Sequence, residues 1–246
     1  MLKIAISGSS GRMGKALIKA VNENDNFVLL AGATREDNKQ VGKDLGEIAE
    51  IGQVGALLYS TFDKFTNADV IIDFSEPIFS LKAIEYSKNN KIPIVLGTTG
   101  YKEDDLSFIK EAAGIIPIIK APNTSIGIAF LRKIINLTSD SLSSFDKVEI
   151  FEKHHKDKKD SPSGTAIDLA EFLSKRTKSK ESVPIVSERS GNDVGEHKII
   201  LSRQYEQVEL SHIAKDRSIY AEGALVAAQW LKSMPKGLYS MSDIYS

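Results

Sequence analysis

The chain has 246 residues, 41% hydrophobic and 26% charged, with 32 basic against 33 acidic residues and a formal net charge of −1. That length suits two modest domains or one large one, and near neutrality gives no field to draw in DNA, RNA or an anionic membrane. There is no cysteine, which excludes disulfides, thiolate metal sites and aldehyde dehydrogenases that need a cysteine nucleophile.

In chain order, the first residues run straight into a glycine-rich turn, too short a stretch for a signal peptide. No apolar run approaches the roughly 18 residues of a membrane span, so a cytoplasmic protein is expected. Short apolar runs at 3–7, 27–33, 69–73, 92–96 and 115–119 read as buried parallel strands. Amphipathic stretches at 12–22, 78–89 and 103–113 have helical spacing, and this alternation predicts a parallel sheet with helices on both faces. The pattern changes near Ala121-Pro122-Asn123. A helix at 128–142, a strand at 147–153, a basic loop and a helix at 165–176 follow. Residues 177–196 read as loop, 197–202 and 207–213 as antiparallel strands, and 218–232 as a helix with Trp230 in the core.

Gly8-Ser9-Ser10-Gly11-Arg12-Met13-Gly14 follows the first strand and opens the first helix, spaced G-x-x-G-x-x-G. Glycines there allow a tight turn and close approach of a phosphate, and the helix start offers N–H groups to a pyrophosphate. The second strand ends in Thr34-Arg35, with no acidic residue at its first following position. A guanidinium at Arg35 suits a 2′-phosphate, which favours NADPH over NADH. Asp73-Phe74-Ser75 and Gly97-Thr98-Thr99-Gly100 follow two further strands, where an open sheet forms its ligand crevice.

Glu152 to Ala166 reads E-K-H-H-K-D-K-K-D-S-P-S-G-T-A. Ser163-Gly164-Thr165 before a helix makes an anion site of hydroxyls and N–H groups. His154 and Lys158 beside it supply groups that bind carboxylates and deliver a proton. No metal is expected: adjacent histidines on extended chain point to opposite sides, and no ligand spacing such as H-E-x-x-H occurs. A G-x-S-x-G elbow is also lacking, and the loop has no interleaved aromatics for nucleic acid. His197 and His212 sit on strand-like runs and are expected to be structural.

These motifs, with Ala121-Pro122-Asn123-Thr124-Ser125, occur in an order that closely resembles the dihydrodipicolinate reductase family over nearly the whole chain. The resemblance implies a Rossmann-like dinucleotide-binding domain, residues 1–125 and 214–246, and an α+β domain with a mixed sheet, residues 126–213, for substrate binding and tetramer formation. It implies a homotetramer that reduces a small cyclic dicarboxylate in lysine biosynthesis, with NADPH favoured and NADH accepted. Many members carry Glu or Asp where this chain has Thr34. His154 is then the acid/base and Lys158 the proton donor, with His155, Ser163, Gly164 and Thr165 as substrate contacts. Gly8, Ser9, Ser10, Gly11, Arg12, Met13, Thr34, Arg35, Gly97, Thr98, Thr99, Ala121, Pro122, Asn123 and Thr124 are the implied cofactor contacts. Closure between the two domains is expected to join cofactor and substrate. The rivals are another Rossmann reductase, which would lack the histidine–lysine loop, and a nucleotide-sensing regulator, which would carry a DNA-binding element.

Overall fold

Apolar runs without polar alternation belong to strands covered on both faces, and the computed structural model, which describes residues 1–177, 182–192 and 194–245, bears this out. The chain divides into two units: unit 1 is Met1–Ser125 with Ser218–Ile244, and unit 2 is Ile126–Arg217 with Tyr245. In unit 1 six strands come first: β1 (Leu2–Ser7), β2 (Phe27–Ala33), β3 (Leu58–Tyr59), β4 (Val70–Asp73), β5 (Ile94–Leu96) and β6 (Pro117–Lys120). They lie in the order β6-β5-β4-β1-β2-β3, all parallel. β1 is flanked by β4 and β2, so the winding reverses there and a crevice opens beyond the carboxyl ends of β1 and β4. Helices α1 (Arg12–Asn22), α2 (Leu45–Ile48), α3 (Pro77–Asn90) and α4 (Glu103–Ala113) connect the strands.

The helix ends follow local chemistry. α3 begins one residue before the expected 78 because Pro77 is preset for a first helical position. α4 opens with Glu103, Asp104 and Asp105, whose charges complement the helix dipole, and Asp105 accepts from the Lys102 N–H at 2.8 Å. α1 buries Gly14, Leu17, Ile18 and Val21. Ile71, Ile84, Ile94, Leu96, Ile109 and Ile118 form the centre of the unit 1 core, each side chain stabilising by about 1.5–3 kcal/mol on burial.

Unit 2 contains α5 (Ile126–Leu137), α6 (Ser139–Leu142), β7 (Lys147–His154), α7 (Gly164–Ser174), β8 (Ile185–Arg189), β9 (Gly195–Arg203) and β10 (Glu206–Ala214). The sheet order is β10-β9-β7-β8, with β8 parallel to β7 and the other pairs antiparallel. Two expectations change. The single helix expected over 128–142 is two, separated at Thr138, whose hydroxyl donates back to Ile134 O at 2.9 Å. The stretch read as loop over 177–196 contains all of β8; its residues 178–181 and 193 lie outside the described residues. Ile128, Leu131, Ile150, Leu169, Leu173 and Ile199 pack into the unit 2 core between helices and sheet.

The chain re-enters unit 1 at Ser218 rather than at 214. α8 (Ser218–Leu231) lies on β4, β5, β6 and α1 with a face of small residues, Ala221, Gly223, Ala224, Ala227 and Ala228. β11 (Gly237–Tyr239) then adds a seventh parallel strand beside β6. Trp230 is half-buried, edge-on to Tyr239 with ring centres 5.2 Å apart, rather than in the core. The outcome is the α/β architecture expected: a Rossmann-like parallel sheet in one unit and a mixed sheet in the other. No helix among the described residues is long and apolar enough to cross a membrane.

Candidate active site

The glycine turn closes tightly because side chains are absent where backbone must pass. Gly8 has φ +79°, and a Cβ on it would stand 2.3 Å from Phe74 O; a Cβ on Gly14 would stand 2.4 Å from Gly8 O. The N–H groups of Gly8 and Ser9 both bond to Ala33 O, at 2.9 and 3.2 Å, which pins the turn to β2. Gly11, the N-cap of α1, and Arg12 are exposed, and Met13 is half-buried. The first-turn N–H groups have no partner four residues back, no acidic side chain stands in that turn, and the helix dipole favours an anion there. This cradle fits a pyrophosphate.

Thr34 is buried, and its hydroxyl joins Ser10 Oγ at 2.8 Å and Asn38 Nδ2 at 3.2 Å. It shapes the turn from within. Arg35 is exposed between Asp37, at 3.8 Å, and Glu76, at 3.5 Å. It borders a cavity of about 640 Å³ that Thr61, Phe62, Glu76, Ile78 and Tyr86 also line.

Asp73, at the end of β4, is fully buried. Ser75 Oγ donates to its Oδ1 at 2.6 Å, and Ser80 Oγ and Thr98 Oγ1 donate to its Oδ2 at 2.6 and 2.7 Å. Burial pushes the carboxyl above its usual range while these hydroxyls pull it back. Tyr101 OH lies 2.5 Å from Ser80 Oγ, and burial with the nearby Asp73 charge raises the phenol. Phe74 packs where a Cβ on Gly97 would stand, 2.2 Å from its ring. Thr99 is exposed and Pro122 likewise, while Ala121 is buried. Thr124 Oγ1 donates to Tyr220 O at 2.7 Å, and Asn123 Oδ1 accepts from Ser125 N at 2.8 Å. Several hydroxyls read as cofactor contacts therefore hold the crevice loops in shape.

In unit 2, strand alternation puts Ile150, Glu152 and His154 on one face of β7, all buried. Nδ1 of His154 lies 2.6 Å from Glu152 Oε2. Glu152 Oε1 accepts from Arg189 Nη2 at 2.6 Å and from Ser163 N at 3.3 Å. Burial works against that charge, yet the Ser187 hydroxyl, Arg189 and Ser163 hold the carboxyl down at about 2. Burial presses His154 below its usual value; the Glu152 charge opposes this, and Lys158 and Arg189 add to it. β8 delivers Arg189 directly across from His154 in the parallel register.

Lys158 Nζ pairs with Asp160 Oδ1 at 2.9 Å, and its N–H bonds to His155 O at 3.1 Å. Arg189 Nη2 reaches Asp160 O at 2.7 Å and ties down the same loop. His155 points away from His154, its Nε2 3.4 Å from Arg217 Nη2. Ser163 is the N-cap of α7 and accepts from Ala166 N at 3.2 Å. Gly164 is exposed, with nothing within 4 Å of where a Cβ would stand, and Thr165 is half-buried beside it. His197 packs edge-on to His154, ring centres 5.1 Å apart, with Nε2 3.2 Å from Ser163 Oγ.

Glu152, His154 and His197 each bring a possible ligand atom within 4.8 Å of the others, a convergence that no linear spacing displayed. Arg189 already neutralises the carboxylate, so a cation there would meet a guanidinium. Sequence reasoning also missed Glu152 as the partner of His154, although a spacing of two on a strand signals it. Arg189 gave no local signal, and the turns at Asp73 and Thr98 marked the crevice without showing that their hydroxyls converge on the Asp73 carboxylate.

A phosphate cradle at the switch point of a parallel sheet, and a buried carboxylate–imidazole pair beside a lysine, are the equipment of a nicotinamide-dependent oxidoreductase of Rossmann type. Residues 2–124 match the family described as dihydrodipicolinate reductase, N-terminus, and residues 127–245 its C-terminus. The chain belongs to the dihydrodipicolinate reductase family, as the resemblance implied. The 4-hydroxy-tetrahydrodipicolinate reductase of Colwellia psychrerythraea is 34% identical over 99% of this chain and 97% of its own. That of Hahella chejuensis is 36% identical over 99% of this chain and 98% of its own. A solved dipicolinate-bound dihydrodipicolinate reductase from Paenisporosarcina sp. TG-14 is similar with a TM-score of 0.82 at 23% identity, covering 99% of both chains. An amine dehydrogenase from Mycobacterium smegmatis shares the fold with a TM-score of 0.70 at 9% identity, covering 98% of this chain and 95% of its own.

Proposed function

We propose that the chain reduces 4-hydroxy-tetrahydrodipicolinate to tetrahydrodipicolinate on the route to diaminopimelate and lysine, using NADPH by preference and NADH as an alternative. The observation that carries this reading is the buried Glu152–His154 pair, 2.6 Å apart, in a chain of this family. The nucleotide supplies the hydride. Gly8, Ser9, Ser10, Gly11, Arg12 and Met13 hold its pyrophosphate, and Gly97, Thr98, Thr99, Ala121, Pro122, Asn123 and Thr124 border its nicotinamide end. Thr34 shapes the turn beside Arg35, whose guanidinium takes the 2′-phosphate.

Ser163, Gly164 and Thr165 bind one substrate carboxylate at the start of α7, and His155 with the basic loop binds the other. Reduction consumes one hydride and one proton and releases one water. Lys158 delivers the proton as charge builds on the conjugated ring, and His154, oriented by Glu152, acts as acid/base. We place the reaction in the cytoplasm and the protein in a homotetramer. The far face of the unit 2 sheet supports assembly, since Val186 and Ile213 stand exposed on it; Ile213→Asp is expected to yield smaller species by light scattering.

The test is consumption of nucleotide with freshly generated substrate. His154→Gln and Lys158→Ala are expected to lower kcat by about 10²–10⁴-fold, the range for general acid help, with nucleotide affinity nearly unchanged. Near-normal turnover in both variants sinks the assignment. Arg35→Ala is expected to raise KM for NADPH more than for NADH; equal effects remove the 2′-phosphate role.

A further inference from the structure

His197 has no task in the reaction just described. It stands on β9, 3% exposed, directly across from Glu152 on β7 and from His212 on β10. Its Nε2 is 3.2 Å from Ser163 Oγ. Among the described residues its Nδ1 has no hydrogen-bond partner. Burial drives the ring down to about 3, with His154, Glu152, His212 and Lys158 as the charged or titratable groups around it. The ring is therefore neutral at physiological pH and carries one N–H, on one nitrogen or the other.

Ser163 decides between the two. Its Oγ already accepts from Ala166 N as the N-cap of α7, and a hydroxyl has two acceptor positions and one hydrogen. If the proton sits on Nδ1, Ser163 must give its hydrogen to Nε2, and a buried N–H is left orphaned. If the proton sits on Nε2, Ser163 Oγ accepts from both Ala166 and His197, and its hydrogen is left to donate elsewhere. An anion at the start of α7 selects the second arrangement, because only then does it meet a hydrogen instead of a lone pair. We propose that His197, as the Nε2–H tautomer, donates to Ser163 Oγ and so turns the Ser163 hydroxyl hydrogen toward a carboxylate oxygen of the bound dicarboxylate. His197 is on this view a positioning residue that acts through Ser163. The inference rests on the reading of Ser163 as a substrate contact.

The experiment measures dipicolinate binding by calorimetry, with kcat and KM, on the full chain saturated with nucleotide. His197→Phe is expected to weaken dipicolinate and raise KM by about tenfold, the worth of one charge-assisted hydrogen bond, with kcat changed much less. His197→Gln, whose amide can reach the place of Nε2, recovers most of the loss. The double variant Ser163→Ala/His197→Phe binds no more weakly than Ser163→Ala alone, because both changes remove one interaction. Nitrogen-15 shifts of the complex report Nε2 as the protonated nitrogen. Dipicolinate binding by His197→Phe within twofold of the unsubstituted chain, strictly additive losses in the double variant, or a proton on Nδ1 each overturns the proposal while leaving the substrate reading intact. An unsubstituted chain that binds no dipicolinate overturns both.

Discussion

Glu152 is the residue on which the unit 2 site is organised, because one carboxylate faces His154, Arg189 and the Ser163 N–H together. Its charge raises the affinity of His154 for a proton against the effect of burial. Glu152→Gln removes that support, so His154 is expected to titrate at a lower pH than in the unsubstituted chain. Turnover should fall by about tenfold to a hundredfold, less than the roughly 10²–10⁴-fold that loss of the acid/base itself costs. An imidazole titration followed by NMR checks the first point and steady-state rates the second; an unmoved His154 contradicts the pairing. At this scale the sequence was partly legible. Spacing of two along a strand puts Glu152 beside His154, and the hydroxyl at Ser163 before a helix signals a cap. Arg189 was not legible, since its place depends on a strand pairing 37 residues away. The internal hydroxyl bonds of Thr34 and Thr98 were not legible either, since their partners Ser10 and Asp73 lie more than twenty residues away.

Among the elements, α1 depends most visibly on a missing side chain. A methyl on Gly14 would meet Gly8 O and Ser9 Cα, both at 2.4 Å, and these are backbone atoms that cannot swing aside. Gly14→Ala is therefore expected to cost about 1–3 kcal/mol of stability, as overpacking does, and to weaken nucleotide binding by displacing the turn. Thermal unfolding and a fluorescence titration with NADPH measure the two effects; a variant with unchanged melting and affinity would contradict the close packing. Strand, glycine turn and helix were readable here because each signal is local. β8 was not, because its five residues lie in a polar stretch and are only half-buried on alternate positions. The break at Thr138 escaped for a related reason: apolar spacing continues through it while a hydroxyl bonds to the backbone.

For the whole molecule, the buried acid–base cluster of unit 2 and the buried Asp73 of unit 1 have opposite tendencies. In unit 2, Glu152 is held at about 2 from a usual 4.5, His197 at about 3 from 6.5, and His154 is lowered as well. Each binds a proton less readily folded than unfolded, so protons favour the unfolded chain. Stability from these groups is complete above about pH 6.5 and declines as pH falls toward 3, Glu152 alone accounting for about 3 kcal/mol. Asp73 in unit 1 runs the other way, its carboxyl raised by burial, so protonation there favours the fold. Hydrogen exchange across a series from pH 7 to pH 3 should show the amides of β7 and β9 losing protection before those of β1 and β4; the reverse order contradicts this account. The division into two units was legible from the change of pattern near Ala121, whereas the seventh parallel strand was not, being three residues long.

The return of the chain to unit 1 has a consequence for biosynthesis. A ribosome that has made everything up to Arg217 has produced unit 2 except Tyr245, but neither α8 nor β11. At that moment the side of β4, β5 and β6 that α8 covers is bare, although those strands emerged first. The part translated earliest is thus finished after unit 2 has emerged, and the nascent protein must shelter an incomplete sheet, by its own loose collapse or by a chaperone, until the codons for α8 and β11 are read.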